Sequence, residues 1–257
     1  MSLSAHHADY HIHLHHSPCT ADEMTANAIL AEAGSHGLHE VGLVNHLHPS
    51  TALEIFKDSR EEINQARHLF SGQIFLGAEL DLLDQSGNTS FREDIRSLVD
   101  YVTLAMGHYQ LEWVSGDFTL EPDQFLMREL SSLMRALSQI KVDLLVHPFI
   151  YSAFPKLAPH YVGKLLPGNL PGQLIKELAE QLKAEKTAVE FHCRDLFVRP
   201  EGLGGARFVE SYMVFLEKLR GHGVAFVQGS DAHRLNQIGR TKAAPAWAAG
   251  LLRASSQ

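Results

Sequence analysis

The sequence has 257 residues, of which 45% are hydrophobic and 20% are charged. These proportions exclude disordered and fibrous proteins and are typical of a chain that buries a large core. The net charge is −8, from 22 basic and 30 acidic residues with neutral histidines. This balance argues against general electrostatic binding to nucleic acid or to anionic membranes, so an anionic substrate would have to be held by a local site.

The chain start and the two cysteines predict a cytoplasmic location. No apolar stretch approaches the roughly 18 residues that a membrane span needs, and residues 1–16 lack the basic start and apolar run of a signal peptide. Cys19 and Cys193 lie in no CxxC motif. Because a chain of this size needs no disulfide for stability, we expect both cysteines to be reduced.

Seven short runs of aliphatic and β-branched residues recur along the chain. Most are nearly continuous in apolar residues, which is typical of strands buried on both faces of a parallel sheet. The predicted strands are 10–14, 41–44, 74–78, 101–106, 142–146, 188–191 and 224–228.

Helical patterns follow each predicted strand. In the first, Thr20 and Glu23 have the spacing of a capping box before the apolar stripe of Ile29, Leu30 and Ala33. The later helical patterns are 52–70, 91–98, 122–140, 171–183, 207–220 and 235–251. Strand and helix alternate seven times, which favours a closed parallel barrel or a doubly wound open sheet. We expect a single domain over 1–257, with 1–8 as a short extension.

Two connections, 149–172 and 194–206, are longer than the others and are predicted to cover a substrate site.

The 17 histidines are an excess that has no structural explanation, and many of them stand at the ends of predicted strands. Because the carboxyl ends of parallel strands meet at one rim of a barrel, these residues should converge in space. His11 and His13 lie two apart on a strand, so both face one side and can hold the same cation. The candidate ligands are His11, His13, Cys19, His46, Glu79, His108, His147, Asp231 and His233.

Nine candidates exceed the ligands that a single ion needs, so they predict two or three divalent transition metal ions. The ligand types leave Zn, Fe, Mn and Co open. His15 and His16 are interpreted as neighbours of this site or as surface residues, and His192 either lines the site or packs behind it.

Six motifs resemble, in order, those of the PHP (polymerase and histidinol phosphatase) superfamily of metal-dependent phosphoesterases. They are Asp9-Tyr10-His11-Ile12-His13, Val44-Asn45-His46, Gly77-Ala78-Glu79, Gly107-His108, Val146-His147-Pro148 and Ser230-Asp231-Ala232-His233. The resemblance covers residues 9–233 and implies a distorted seven-stranded parallel (β/α)7 TIM-like barrel.

The resemblance also implies how the metal ligands are divided. The first ion would be held by His11, His13, Glu79 and Asp231, the second by Glu79, His108 and His147, and the third by His46 and His233. In many relatives a histidine or aspartate completes the third site, and Cys19 stands at that position here. A thiolate ligand, substitution by Asp22 and a weak third site are the three alternatives.

A second departure lies at Asn45, where relatives usually have a threonine-aspartate pair before the histidine. Asn45 supplies no negative charge, which puts a role of that position in orienting a ligand in doubt.

The expected reaction is hydrolysis of a phosphate monoester through attack by a hydroxide that bridges two metal ions. Asp231 or His233 would assist the leaving alkoxide, and Arg194, Arg199 and Arg234 are the candidates for binding the phosphate. The resemblance makes histidinol phosphate the leading substrate, with nucleotide phosphates, sugar phosphates and phosphodiesters as alternatives.

Two other classes of function remain open from the sequence. An amidohydrolase-like enzyme shares the H-x-H motif, but His108 ends the fourth strand where that class has a lysine or carboxylate, and Asp231 is followed at once by Ala232-His233. A non-catalytic module is disfavoured because eight of the nine ligand positions are kept. The sequence predicts no oligomeric state.

Overall fold

The computed structural model describes residues 7–192 and 200–239. Its single sheet has seven strands, all parallel, in the order in which they occur along the chain. The strands are β1 (Ala8–His13), β2 (Glu40–Leu47), β3 (Gln73–Asp81), β4 (Tyr101–Ala105), β5 (Leu144–Val146), β6 (Ala188–His192) and β7 (Phe226–Gly229).

Helices connect the strands and cover the outside of the sheet. They are α1 (Ala26–Ser35), α2 (Glu54–Ala66), α3 (Pro122–Gln139), α4 (Phe154–Leu157), α5 (Gly172–Glu185) and α6 (Gly205–Gly221). In the described part of the chain, no helix has the length and apolar character needed to cross a membrane.

The first and last strands meet, so the sheet forms a nearly closed barrel. The backbone N–H of His13 donates to the carbonyl of Ala232 at 2.9 Å, and the N–H of Ala232 donates to the carbonyl of His11 at 3.2 Å. A buried carboxylate reinforces this closure, since Asp9 Oδ1 accepts from the Ser230 N–H at 2.9 Å. The (β/α)7 TIM-like barrel is confirmed, and the open doubly wound sheet is excluded.

Side chains on β2 to β7 point into the barrel with a period of two, as strand geometry requires. Apolar residues fill the amino-terminal half of the interior, where the Tyr101 hydroxyl donates to the Tyr10 carbonyl at 2.7 Å. Polar residues follow in the same phase towards the carboxyl ends. The interior positions are Gly42, Val44 and His46 on β2; Phe75, Gly77 and Glu79 on β3; Tyr101 and Ala105 on β4; Leu144 and Val146 on β5; Ala188 and Glu190 on β6; and Val227 and Gly229 on β7.

Gly77 shows how tightly this interior is packed. A Cβ at this position would lie 2.5 Å from the ring of Tyr101, which is itself almost fully buried. Only glycine lets β3 pass this close to the tyrosine.

β1 contains an irregularity that changes the phase of its side chains. Its register against β2 shifts between Asp9 and Ile12. Tyr10 lies in the interior apolar cluster, and after the shift His11 and His13 face the interior too, where both contact Glu79. This bulge allows both halves of β1 to contribute to the inside of the barrel.

The apolar core outside the barrel lies between the strands and the helices. One cluster packs α3, α5 and α6 against the middle strands. Another packs α1 and α2 against β1 to β3, with Ile12, Leu30, Leu43 and Ile63 among its members. The long aliphatic runs of the sequence are therefore explained by burial on both faces of the sheet.

Several element boundaries differ from the predictions. The capping box at Thr20 is wrong, because α1 begins at Ala26 and its N-cap is Thr25, whose side chain accepts from the Ala28 N–H at 3.3 Å. The helix predicted over 91–98 is a short 3-10 helix, Glu93–Ser97. Of the helix predicted over 235–251, the described part is a single 3-10 turn, Leu235–Gln237, and residues 240–251 lie outside the described range.

The longer connections also have regular structure. The 149–172 connection contains α4 and two 3-10 turns, Pro159–Tyr161 and Pro167–Asn169. Of the connection predicted over 194–206, residues 194–199 lie outside the described residues, and the remainder contains a 3-10 turn, Pro200–Leu203, and the start of α6.

Candidate metal centre

The candidate ligands meet inside the carboxyl-terminal end of the barrel. The sequence predicted that His46 and Glu79 come after the ends of their strands. They lie within the strands instead, since β2 and β3 extend to Leu47 and Asp81. The sheet therefore fixes the directions of both side chains. Glu79 is fully buried and central, and its carboxylate lies within 4 Å of imidazole nitrogens of five histidines: His11, His13, His46, His108 and His147.

One group of four donor atoms lies at the end of β1. His11 Nε2 and His13 Nε2 are 3.1 Å apart, and they lie 3.5 and 3.3 Å from Glu79 Oε2. Asp231 Oδ1 lies 3.6 Å from His11 Nε2 and 3.1 Å from His13 Nε2. A tetrahedral zinc site with bonds of 2.0–2.1 Å separates its ligand atoms by about 3.3 Å. These five separations, 3.1–3.6 Å, therefore match the spacing of ligand atoms in a coordination shell.

The other oxygen of Glu79 faces a different pair of histidines. Glu79 Oε1 lies 3.1 Å from His147 Nε2 and 3.9 Å from His108 Nε2. The two carboxylate oxygens thus point to two separate sets of imidazoles, which is the arrangement of a carboxylate that bridges two cations.

Cys19, His46 and His233 form the third group. Cys19 Sγ lies 3.3 Å from His46 Nε2, and His46 and His233 have ligand atoms within 4.8 Å of one another and of His13. Cys19 is exposed. Desolvation by its neighbours raises the pKa of the thiol, but hydrogen bonds from His233 and His46 outweigh this effect and lower the pKa to about 6. Asp22, the alternative ligand, is exposed.

Unpaired buried atoms indicate that these residues suit a cation. Glu79 Oε2 and His46 Nδ1 lie 3.0 Å apart, yet both are buried and neither makes a hydrogen bond. Leaving such polar atoms unpaired costs about 1–3 kcal/mol each. A divalent ion would satisfy both atoms at once, so the donor set fits the predicted metals.

Two of the candidate ligands have left-handed backbones, which non-glycine residues rarely adopt. The φ angles are 31° for His147 and 50° for Asp231. Each such residue costs about 1 kcal/mol or more and is tolerated mainly where a site requires it. These backbones turn the chain at the ends of β5 and β7, where both side chains enter the cluster.

Glu190 on β6 contacts two of the candidate ligands, which the sequence analysis did not predict. Its Oε1 lies 2.8 Å from His11 Nδ1, and its Oε2 accepts from the His147 backbone N–H at 2.6 Å. Burial raises the pKa of this carboxyl, but the charge of His11 outweighs burial and brings the pKa well below its usual range. His192, which lies 3.4 Å from Glu190 Oε2, sits behind the ligand atoms.

Asp81 is the second residue that the sequence analysis missed, and it holds three rings at the opposite side. His108 Nδ1 and His48 Nδ1 each lie 2.8 Å from its carboxylate, and Trp113 Nε1 donates to it at 2.9 Å. Burial raises the pKa of Asp81, but the hydrogen bonds from the two histidines lower it by more. The only sequence signal for Asp81 is its position two residues after Glu79, on the same face of β3.

Asn45 precedes His46 on β2 but does not take part in the candidate metal centre. It points outward, and its Nδ2 donates to Ser59 Oγ on α2 at 2.8 Å. The amide thus ties the strand to a helix and lies away from the cluster.

A cavity of about 530 Å³ opens over the ligands. Its walls combine the candidate ligands with apolar and aromatic residues, among them Pro18, Leu111 and Trp113. Among the described residues that line it, none is a lysine or arginine. Arg234 is exposed and lies outside this lining, while Arg194 and Arg199 lie outside the described residues.

Comparison with solved structures shows the fold of the chain. It aligns with the crystal structure of a candidate histidinol phosphatase, hisK of Listeria monocytogenes, with a TM-score of 0.63 and 14% identity, over 92% of this chain and 98% of that one. It also aligns with a chain in the cryo-EM structure of archaeal ribonuclease P with mature tRNA, with a TM-score of 0.48 and 14% identity, over 83% and 76% of the two chains.

No family model and no curated protein matches the sequence. The Listeria alignment shows a shared fold, in agreement with the barrel that the PHP resemblance implies.

Proposed function

We propose that this protein is a metal-dependent phosphoesterase that hydrolyses a small phosphate monoester. The observation that carries the proposal is the position of Glu79, whose two oxygens face two different groups of buried imidazoles. Two cations held side by side by such a carboxylate are typical of enzymes that displace an oxygen at phosphorus.

Three groups of residues would hold two or three divalent ions. The first is His11, His13, Glu79 and Asp231; the second is Glu79, His108 and His147; and the third is Cys19, His46 and His233. Bound divalent ions supply Lewis acidity and neutralise the charge of a phosphoryl group. Imidazole, carboxylate and thiolate donors suit Zn, Fe or Mn in different degrees, so the donor set leaves the metal open.

The protein's own residues orient the ligands and handle the proton. Glu190 and Asp81 fix the rings of His11 and His108 through their Nδ1 atoms, which leaves Nε2 of each ring free to face the cluster. Asp231 and His233 both line the cavity, and their side chains approach to 3.4 Å. We assign to one of these two residues, Asp231 or His233, the protonation of the leaving alkoxide.

The phosphate-binding role of the arginines stays a prediction. Arg234 is the least favoured of the three because it is exposed and does not line the cavity. Arg194 and Arg199 follow β6 directly in the sequence, which keeps them as the candidates to test.

Histidinol phosphate is the first substrate to test. The fold shared with a candidate histidinol phosphatase supports this choice, and so does the cavity. Trp113 and His48 have ring centroids 4.8 Å apart, and both line the cavity, where they offer ring surfaces to a flat heterocyclic group. Nucleotide phosphates and phosphodiesters are the alternatives within the same class.

The first experiment combines elemental analysis with turnover of p-nitrophenyl phosphate before chelation, after chelation and after metal is added back. Two or three equivalents of transition metal with chelator-sensitive turnover would support the proposal, and histidinol phosphate would then be compared with other monoesters and with diesters. Bound metal without any phosphatase activity would favour diesters or an amidohydrolase-like reaction. A protein that cannot be loaded with metal would contradict the proposal.

Replacing Glu79, the carboxylate shared by the first two groups, tests the proposed metal arrangement directly. We expect Glu79→Ala to abolish turnover and to lose at least one metal equivalent, because both of the groups that share this residue become incomplete. Glu210→Ala, which removes an exposed carboxylate on α6, is the matched control and should keep both properties. Wild-type turnover in Glu79→Ala would contradict the two-metal assignment.

A further inference from the structure

A second cluster of potential metal ligands lies between the segment that follows β1 and helix α2. His15, His16 and Glu62 each offer a ligand atom, and these atoms lie within 4.8 Å of one another. His15 Nε2 is 3.1 Å from Glu62 Oε2, and His16 Nε2 is 3.5 Å from the same oxygen. None of the three residues belongs to the groups around Glu79.

The backbone holds this cluster in place from two sides. The His15 N–H donates to the carbonyl of Met24 at 2.9 Å, which closes the segment between β1 and α1. Glu62 lies on α2, and its Oε1 accepts from the N–H of Ala26, the first residue of α1, at 2.7 Å. The carboxylate is therefore anchored through one oxygen, and its other oxygen faces both imidazoles.

One ring nitrogen of the cluster has no hydrogen-bond partner. His16 Nε2 is buried and makes no hydrogen bond, although it lies close to the Glu62 carboxylate. His15 Nε2 already makes the hydrogen bond to the same oxygen. A buried ring nitrogen without a partner is unfavourable, and a cation shared by the three side chains would supply that partner.

We propose that His15, His16 and Glu62 bind a divalent cation of the zinc class, separate from the ions proposed at Glu79. Two imidazoles and one carboxylate are a known ligand set for zinc, with the remaining position taken by water. Two of the three donor atoms at this cluster are imidazole nitrogens. Because magnesium and calcium prefer oxygen ligands, zinc is favoured over both. The side chains are 20–33% exposed, which leaves a path for the ion from solvent.

The number of zinc equivalents bound by the whole protein tests this proposal. Metal-free wild type and the double variant His15→Gln/His16→Gln would be titrated with Zn²⁺ in competition with a chromophoric chelator. We expect the double variant to bind one equivalent fewer and to keep the remaining equivalents with unchanged affinity. Equal stoichiometry in the two proteins would overturn the proposal.

Two further variants separate the cation site from a merely structural contact. Glu62→Gln keeps the carbonyl that accepts from Ala26 but removes the charge, and it should also lose one equivalent. His36→Gln is the matched control, because His36 contacts Glu32 at 3.1 Å in a similar histidine–glutamate pair for which the described residues offer no third ligand. A loss of zinc in His36→Gln, or full zinc binding in Glu62→Gln, would refute the assignment.

The outcome is independent of the proposed phosphoesterase function. Loss of one zinc equivalent with unchanged p-nitrophenyl phosphate turnover supports a separate site. Loss of zinc together with turnover would mean that the residues serve the centre at Glu79, and the proposal of a separate site would fail.

Discussion

The clearest test of the energetics concerns Glu129, a carboxyl group buried on α3 outside the candidate metal centre. The residue is 3% exposed. Burial raises the pKa of Glu129 to about 7, although a hydrogen bond from Tyr109 and the charge of Arg128 lower it. The folded protein therefore keeps a proton on this carboxyl at a pH where the unfolded chain releases it.

The sign and size of the effect follow from the two pKa values. An ordinary glutamate titrates at 4.5, so between pH 4.5 and 7 the folded state binds more protons than the unfolded state. Stability must then fall as the pH rises through this window. The difference between about 7 and 4.5, at 1.36 kcal/mol per unit, makes the total loss about 3 kcal/mol.

Glu129→Gln removes the titration and keeps the shape of the side chain. We expect the variant to be more stable than wild type by about 3 kcal/mol at pH 8 and by less than about 1 kcal/mol at pH 5. The assay is urea unfolding of both proteins at matched metal loading and at several pH values, so that contributions from other groups cancel in the difference. A difference that does not change with pH would refute the assigned pKa.

Two further changes test the barrel and the orientation of the site. Gly77→Ala places a methyl group 2.5 Å from the ring of Tyr101 and should destabilise the protein by about 1–3 kcal/mol in urea unfolding. Gly172→Ala, whose Cβ would meet nothing within 4 Å, is its control, and equal effects of the two substitutions would contradict the packing argument. Asp81→Asn removes the charge and leaves one acceptor oxygen for the three rings that contact Asp81, and it should lower metal affinity or turnover by about 10–100-fold; unchanged values for both would show that Asp81 has no orienting role.

The parallel strands of the barrel could be predicted because aliphatic runs are a direct record of burial on both faces of a sheet. The carboxyl ends of β2 and β3 could not, because the prediction ended these two strands where the apolar run stopped. His46, Glu79 and Asp81 continue their strands, since inside the barrel these polar side chains are buried against one another.

The start of α1 could not be predicted from the sequence, although the helix itself could. Thr20 and Glu23 have the spacing of a capping box, but α1 begins later because Thr25 provides the N-cap. Short-range spacing alone does not distinguish the two, since the segment before α1 is shaped by tertiary bonds such as that from the His15 N–H to Met24.

The candidate ligands could be named from their positions at strand ends, whereas the residues that orient them could not. Glu190 and Asp81 are acidic residues on strands, and apart from the position of Asp81 two residues after Glu79, their local sequence does not indicate an orienting role. Their roles depend on contacts between strands, as in the approach of Glu190 on β6 to His11 on β1. Only the folded barrel shows these pairs.

The bulge in β1 determines which face of the strand the two histidines of the H-x-H motif occupy. The shift between Asp9 and Ile12 is what brings both imidazoles to the inside of the barrel after Tyr10 has already pointed there. A one-residue deletion at this point would make the pairing of β1 with β2 regular and would leave the H-x-H sequence unchanged. It would nevertheless turn both imidazole rings towards the helices. In this chain, therefore, whether the H-x-H motif places both rings inside the barrel depends on the number of residues before it in β1 as much as on the two histidines themselves.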